Sequence, residues 1–312
     1  MSKENNKKPT KNWRTIATIL ASILAAGFIL WQKDSIIKSF DYIKQASPEW
    51  LALAVVFHAL SVVSAAAVYW QISLRKTKYY NLLVCQAASL FTSRVTPAGV
   101  GGLATMGKVL QNSGHKAAEI GLVLSANAIV TFLGNVALTL FALLISGRSL
   151  AEGFKIPKFI FLIPFFVIIV AIIVYTVKSF RTKVTKLIKD MISTLGEYKT
   201  KKKNLFYGFC FGVLTTFGYM LALWAAGNSM GVHLSFIATI VTISLGTLGA
   251  SATPLPGGVV GAEAALALTM TQFGVPTEQA LAVAFVYRFI TYWLPILPGY
   301  IITQYALRRK IL

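Results

Sequence analysis

Apolar runs of roughly 20 residues, the length a helix needs to cross a bilayer, recur along this chain. They lie at about 15–31, 50–72, 117–146, 158–177, 205–227 and 279–307. Hydrocarbon offers the backbone no hydrogen-bond partner, so each run must fold as a helix that satisfies its own N–H and C=O groups. Composition fits that constraint. Of 312 residues, 56% are hydrophobic and 13% charged, about half the charged share of a soluble chain. The expected fold is an all-α polytopic membrane protein, a single integral domain over residues 1–312.

Two more apolar stretches, 79–112 and 234–273, break near their middles at "TPAGVGG" (96–102) and "PLPGGVVG" (254–261). Proline removes a backbone donor and glycine tolerates sharp turns. Each stretch therefore reads as a re-entrant hairpin, two half-helices meeting at mid-membrane. The expectation is about six transmembrane helices plus two re-entrant helical hairpins.

The net charge is +20. Lys and Arg gather at the ends of apolar runs and in the 178–204 segment, a pattern of orientation and anionic-lipid contact rather than of nucleic-acid binding. With the N-terminus inside, the inner segments carry 22 Lys and Arg and the outer segments 6. This asymmetry expects both termini in the cytoplasm of a multi-pass cell (plasma) membrane protein. The basic head "KKPTKNWR" ahead of 15–31 shows no convincing cleavage site, so a retained first span is expected. Within 178–204, Val184, Leu187, Ile188, Met191 and Leu195 share one helical face among lysines, as in a basic amphipathic helix lying on the inner leaflet; a solvated linker is the alternative. Ile36, Phe40 and Ile43 suggest a similar short outer helix. Cys85 and Cys210 lack metal-ligand spacing, and His58, His115 and His233 show no relay pattern. No metal, no cofactor and no catalytic residue is expected.

The chain repeats itself. At an offset of 159, Pro97, Gly99 and Gly102 meet Pro256, Gly258 and Gly261. Gly114 and Gly274 each precede a polar turn and a long span. Three spans separate the hairpins, and an odd number inverts the second copy. The repeats are expected at 50–146 and 205–307, with hairpins 79–112 and 234–273. Inverted repeats with paired broken helices are a transporter architecture, with the site where the halves meet.

A half-helix that starts at mid-membrane exposes free N–H groups and its positive dipole end, which attract anions. Glycine lets a ligand approach the backbone. Candidate binding residues at the breaks are Pro97, Gly99, Gly102, Pro256, Gly257, Gly258 and Gly261. The alternative is that these residues only make turns and allow close helix packing. Three ionisable residues fall within apolar sequence: Arg94, Glu263 and Arg288. Charges at that depth are paired or functional. Glu263 and Arg288 can form a buried ion pair, and Arg94 with Arg288 can receive a phosphate; the two readings are compatible. Tyr287, Tyr292 and Trp293 can line a headgroup path or simply pack.

On "TPAGVGG" with "GKVLQNSGHKAAEIGLVLSANAIV", and on "PLPGGVVGAEAAL" with "FGVPTEQALAVAFVYRFITYWLPILPG", the chain resembles the transmembrane region of lysylphosphatidylglycerol synthase/flippase proteins, over about residues 50–307. The resemblance implies lipid translocation or handling. It carries over to Pro97, Gly99, Gly102, Pro256, Gly257, Gly258, Gly261, Glu263 and Arg288. Full family members add a soluble aminoacyl-transfer domain, and the chain reaches only Leu312, so no domain for lysyl transfer is expected. "GLAT" (102–105) and "SANAIVTF" (125–132) stand where the family often carries acidic residues and an arginine.

The leading expectation is a lipid flippase or transporter for an anionic or aminoacylated phospholipid, or for a polyprenyl-phosphate-linked lipid. The alternatives are a component of lipid modification resembling phosphatidylglycerol lysyltransferase, and a membrane subunit that binds a partner. Expected partners are membrane lipids with anionic headgroups, with a second copy of the chain or a separate lipid-modifying enzyme as protein partners.

Overall fold

The computed structural model describes residues 33–96, 99–146, 195–253 and 258–312, together with Lys189. Several expected features lie outside the described residues: the spans at 15–31 and 158–177, the basic head, most of the 178–204 segment, and Pro97, Pro256 and Gly257.

Every regular element described is helical. Helix α1 (Lys33–Lys44) is the expected short helix ahead of the second span. Helices α2 (Pro48–Ile72), α3 (Tyr79–Thr92), α4 (Val100–Asn112) and α5 (Ala117–Ser146) follow. A 3-10 turn at Leu195–Thr200 leads into α6 (Lys202–Asn228), α7 (Phe236–Ala252), α8 (Gly261–Gln272) and α9 (Thr277–Arg288). A π-helical turn (Phe289–Trp293) and α10 (Ile296–Arg308) complete the chain. Four stretches are long and apolar enough to cross a membrane: Pro48–Ile72, Ala117–Ala142, Lys202–Asn228 and Thr277–Arg308. They coincide with four of the six expected spans.

Both interrupted stretches fold as pairs of short helices. In the first, α3 and α4 have 14 and 13 residues; in the second, α7 and α8 have 17 and 12. At about 1.5 Å per residue, none reaches the roughly 30 Å of a bilayer core. The arms of each pair run antiparallel. Ser89 approaches Gly102 while Cys85 approaches Met106, and Gly261 meets Thr253 while Leu266 meets Gly246.

Glycine makes the first pair close. A Cβ on Gly101 would collide with the Thr92 carbonyl, and Thr96 Oγ1 accepts a hydrogen bond from Gly101 N–H at 2.8 Å. Gly99, just before α4, has φ +69°. Gly101→Ala is accordingly expected to cost about 1–3 kcal/mol through forced backbone strain. Thermal unfolding in detergent checks this, and an unchanged midpoint would show that the arms can part freely.

The packing is reciprocal. Helix α2 lies along α6, where Gly218 lets the Ser61 backbone come close. Helix α3 packs on α10, and α7 packs on α5. Each hairpin thus leans on the long span that follows the other hairpin. Trp50 and Trp224 meet edge to face at 5.2 Å across α2 and α6.

Candidate functional site

The tail of the last long span departs from a regular helix for a reason written in its residues. Pro295 has no N–H, so the carbonyl of Thr291, four residues earlier, loses its α-helical donor. The ladder widens instead, and Leu294 N–H bonds to Phe289 O at 2.8 Å. Arg94 Nη2 donates to the freed Thr291 carbonyl at 2.7 Å. π-helical turns of this kind cluster at functional positions.

Arg94 itself lies just past the end of α3. Its N–H turns to Phe91 O, and its guanidinium Nη1 donates to Leu90 O. The side chain thereby caps its own helix and reaches the π-turn. Tyr292, on that turn, lies against two guanidinium groups. The Arg94 carbon lies 5.0 Å from the ring centroid and the Arg288 carbon 4.3 Å. Ring faces attract cations, so the tyrosine offsets part of the cost of holding two like charges near one another. Arg288 Nε donates to Glu263 Oε1 at 2.9 Å, joining α8 to α9. Among the described residues, Glu263 Oε2, Arg94 Nε and His58 Nε2 are buried polar atoms without a hydrogen-bond partner.

Two cavities meet at this cluster. One, of about 710 Å³, is lined by Arg94, Arg288, Tyr287 and Thr291 and by polar residues of α5, α6 and α7. The other, of about 670 Å³, is lined by Arg94, Tyr292, Gly99, Gly102, Gly258 and serines of both hairpins. Arg94, Tyr219, Thr247 and Ala250 border both. No carboxylate is among the described residues lining either.

The placement of the expected site residues is mixed. Arg94, Arg288 and Tyr287 line the first cavity, and Gly99, Gly102 and Gly258 the second. Glu263 lines neither and stands behind Arg288 as its ion-pair partner. Gly261 is a packing residue, pressed against Thr253 and the Gly249 carbonyl. The second arms begin at Val100 and Gly261, the latter three residues beyond Gly258. Tyr292, for which lining a headgroup path or packing were the two expectations, lies against both arginines and borders the second cavity. Its "YRFITYWLP" context holds both the aromatic and the proline that turns it. His58 shows no relay partner in the sequence. Its ring lies tilted against that of Tyr219, centroids 5.7 Å apart, and its Nε2 has no hydrogen-bond partner among the described residues.

A separate polar cluster ties α2 to the α4–α5 turn. His115 Nδ1 donates to Leu110 O at 2.9 Å, and its Nε2 accepts from Arg75 N–H at 3.1 Å. Arg75 Nε donates to Glu119 Oε1 at 3.0 Å. Glu119 Oε2 also accepts Lys116 N–H at 2.7 Å, covering a donor at the start of α5. Lys201 Nζ donates to the Ser73 and Leu74 carbonyls at the end of α2. Burial, with Arg75 and Lys201 nearby, holds the His115 imidazole below its usual value of 6.5, although Leu110 O and Glu119 pull the other way. The unfolded chain therefore takes up this proton first. Stability from His115 is full above about pH 6.5. It declines as pH falls below that and is lost once pH has passed the folded value. Melting curves from pH 8 to about pH 5 are expected to show this slope, flattened in His115→Gln. An identical slope in the variant would place the titration elsewhere.

Comparison with known proteins follows the same line. A family model described as the lysylphosphatidylglycerol synthase TM region matches residues 16–299. A UPF0104 membrane protein of Methanocaldococcus jannaschii is 23% identical over 308 residues, covering 89% of this chain and 90% of that protein. A UPF0104 membrane protein of Methanothermobacter thermautotrophicus is 30% identical over 119 residues, 38% of this chain and 35% of its own length.

Proposed function

The chain belongs to the lysylphosphatidylglycerol synthase TM region family, a membrane-lipid family, and from that premise we propose that it is a flippase for a phosphate-bearing lipid. The observation that carries this reading is the pair of arginines, Arg94 and Arg288, that border one cavity of about 710 Å³ among apolar helices. Guanidinium groups in a low-dielectric wall, Arg94 held by backbone carbonyls and Arg288 by Glu263, suit a phosphate diester. The phosphate would meet both guanidinium groups from the cavity side, while the acyl or prenyl tails stay in lipid.

In this reading the two helical pairs are re-entrant hairpins that enter from opposite faces, since neither has arms long enough to span. Their reciprocal packing on α10 and α5 supports two inverted halves. Rocking of one half against the other would expose first one cavity and then the other, with Arg94 at their common border. The positive end of α4, whose Gly99 and Gly102 border the second cavity, adds to the attraction for anions.

The test is reconstitution in vesicles carrying fluorescent anionic phospholipids, followed by reduction of the outer-leaflet dye. The protein is expected to bring inner-leaflet label to the surface well above the rate of empty vesicles. Arg94→Ala is expected to slow this by about tenfold, the loss of one charge-assisted contact. Rates equal to those of empty vesicles for phosphatidylglycerol, cardiolipin and polyprenyl phosphates alike would overturn the reading.

A further inference from the structure

The walls of the first cavity say more than phosphate. Beyond the arginines it is lined by Asn127, Thr131 and Asn135 of α5, Thr215 and Thr216 of α6, and Ser244 and Thr247 of α7. The protons of most of these hydroxyls are spent on the backbone. Thr215 Oγ1 donates to Phe211 O at 2.8 Å, Thr247 Oγ1 to Ile243 O at 2.9 Å and Thr216 Oγ1 to Gly212 O at 3.3 Å. What such hydroxyls have left is oxygen lone pairs, which accept. Ser244 Oγ lies 2.9 Å from Asn135 Oδ1, so Asn135 keeps its Nδ2 donors. The Asn127 side chain makes no hydrogen bond to the described residues, and its amide faces no competing partner there.

We infer that this wall binds a sugar or inositol ring joined to the phosphate held by Arg94 and Arg288. The inference rests on the flippase reading for its phosphate. Acceptor oxygens and amide donors around one space match a ring whose hydroxyls both donate and accept. An ammonium headgroup would meet the Arg94 charge and no carboxylate among the described lining residues, the Arg288 charge being offset by Glu263 behind it; that balance is unfavourable inside a membrane. The aromatic ring of Tyr219, on the same wall, offers a face for the ring's C–H surface.

The test is equilibrium binding to the purified full chain in detergent, by native mass spectrometry. The probes are phosphatidylinositol, a polyprenyl phosphosugar, phosphatidic acid and phosphatidylethanolamine, with free inositol phosphate as the soluble arm. The two ring-bearing lipids are expected to bind about tenfold more tightly than phosphatidic acid, the discrimination a few buried hydrogen bonds provide. Asn127→Ala and Asn135→Ala are expected to bring that ratio below about threefold. Asn127→Asp adds a carboxylate and is expected to move the preference toward phosphatidylethanolamine. Wild-type binding of phosphatidylethanolamine or phosphatidic acid as tight as that of the ring lipids would overturn the inference, as would an Asn127→Asp protein that binds lipid with unaltered preference. Tighter binding of free inositol phosphate than of its lipid would make the ligand a soluble sugar phosphate, against the inference. Selective ring-lipid binding with no translocation would sink the flippase reading and leave this one standing. Translocation without ring preference would do the reverse.

Discussion

Arg288→Ala will lower the stability of the protein by about 3–5 kcal/mol, the cost of stripping the partner from a buried ion. The two side chains are 12% and 8% exposed, so water cannot replace what is lost. Glu263 would keep one unpartnered oxygen and gain a second. It would then either take up a proton or drive α8 away from α9. Glu263→Gln removes the carboxylate instead and is expected to be milder, because a neutral amide oxygen still accepts from Arg288 Nε. The double variant Glu263→Gln, Arg288→Met is the informative one. Removing both charges is often close to neutral for folding, so its melting temperature is expected to return toward that of the wild type. Its lipid translocation is expected to stay lost, since one of the two phosphate ligands is gone. A double variant that transports lipid at the original rate would confine Arg288 to a structural ion pair. A single Arg288→Ala variant that melts normally would show that the pair does not hold the hairpin.

Tyr292→Leu is expected to cost about 2–4 kcal/mol, because it removes the ring contact of two desolvated guanidinium groups. Leucine fills part of the volume but offers no negative face to offset the repulsion of the two cations. Arg94 would keep its carbonyl bonds to Leu90 and Thr291 while losing its fixed orientation toward the cavities. Translocation is expected to fall more than stability does. Tyr292→Phe retains the ring and is expected to recover most of the activity. Melting curves combined with translocation rates separate the two effects. Equal losses in the leucine and phenylalanine variants would mean that the hydroxyl, and not the ring face, carries the role.

The long spans were legible because they are one-dimensional properties. A run of apolar residues about 20 long can do little in a membrane other than fold as a helix. Pro48–Ile72, Ala117–Ala142, Lys202–Asn228 and Thr277–Arg308 fall where that rule places them. The breaks at "TPAGVGG" and "PLPGGVVG" were legible for the same reason, since proline and glycine act on their own backbone. The ion pair between Glu263 and Arg288 was within reach because α8 and α9 follow one another. The π-turn was hidden inside a sequence of helical hydropathy. Only the missing N–H of Pro295 betrayed it, and the consequence appears four residues earlier at Thr291. The polar wall of the first cavity was hidden too. Asn127, Asn135, Ser244 and Thr215 sit on three helices, and each looks alone like a tolerated polar residue in an apolar run.

By itself, then, the chain determined a polytopic helical membrane protein with two broken helices and with charges placed near the breaks. Those features depend on solvation and backbone chemistry within a few residues. The tertiary structure decided which charges meet. Arg94 reaches Thr291 and Tyr292 from nearly two hundred residues away, and packing of α3 on α10 brings them together. It also decided that Gly261 packs while Gly258 borders a cavity, although the two belong to one motif. Such outcomes turn on helix rotation and close approach, which no local pattern encodes.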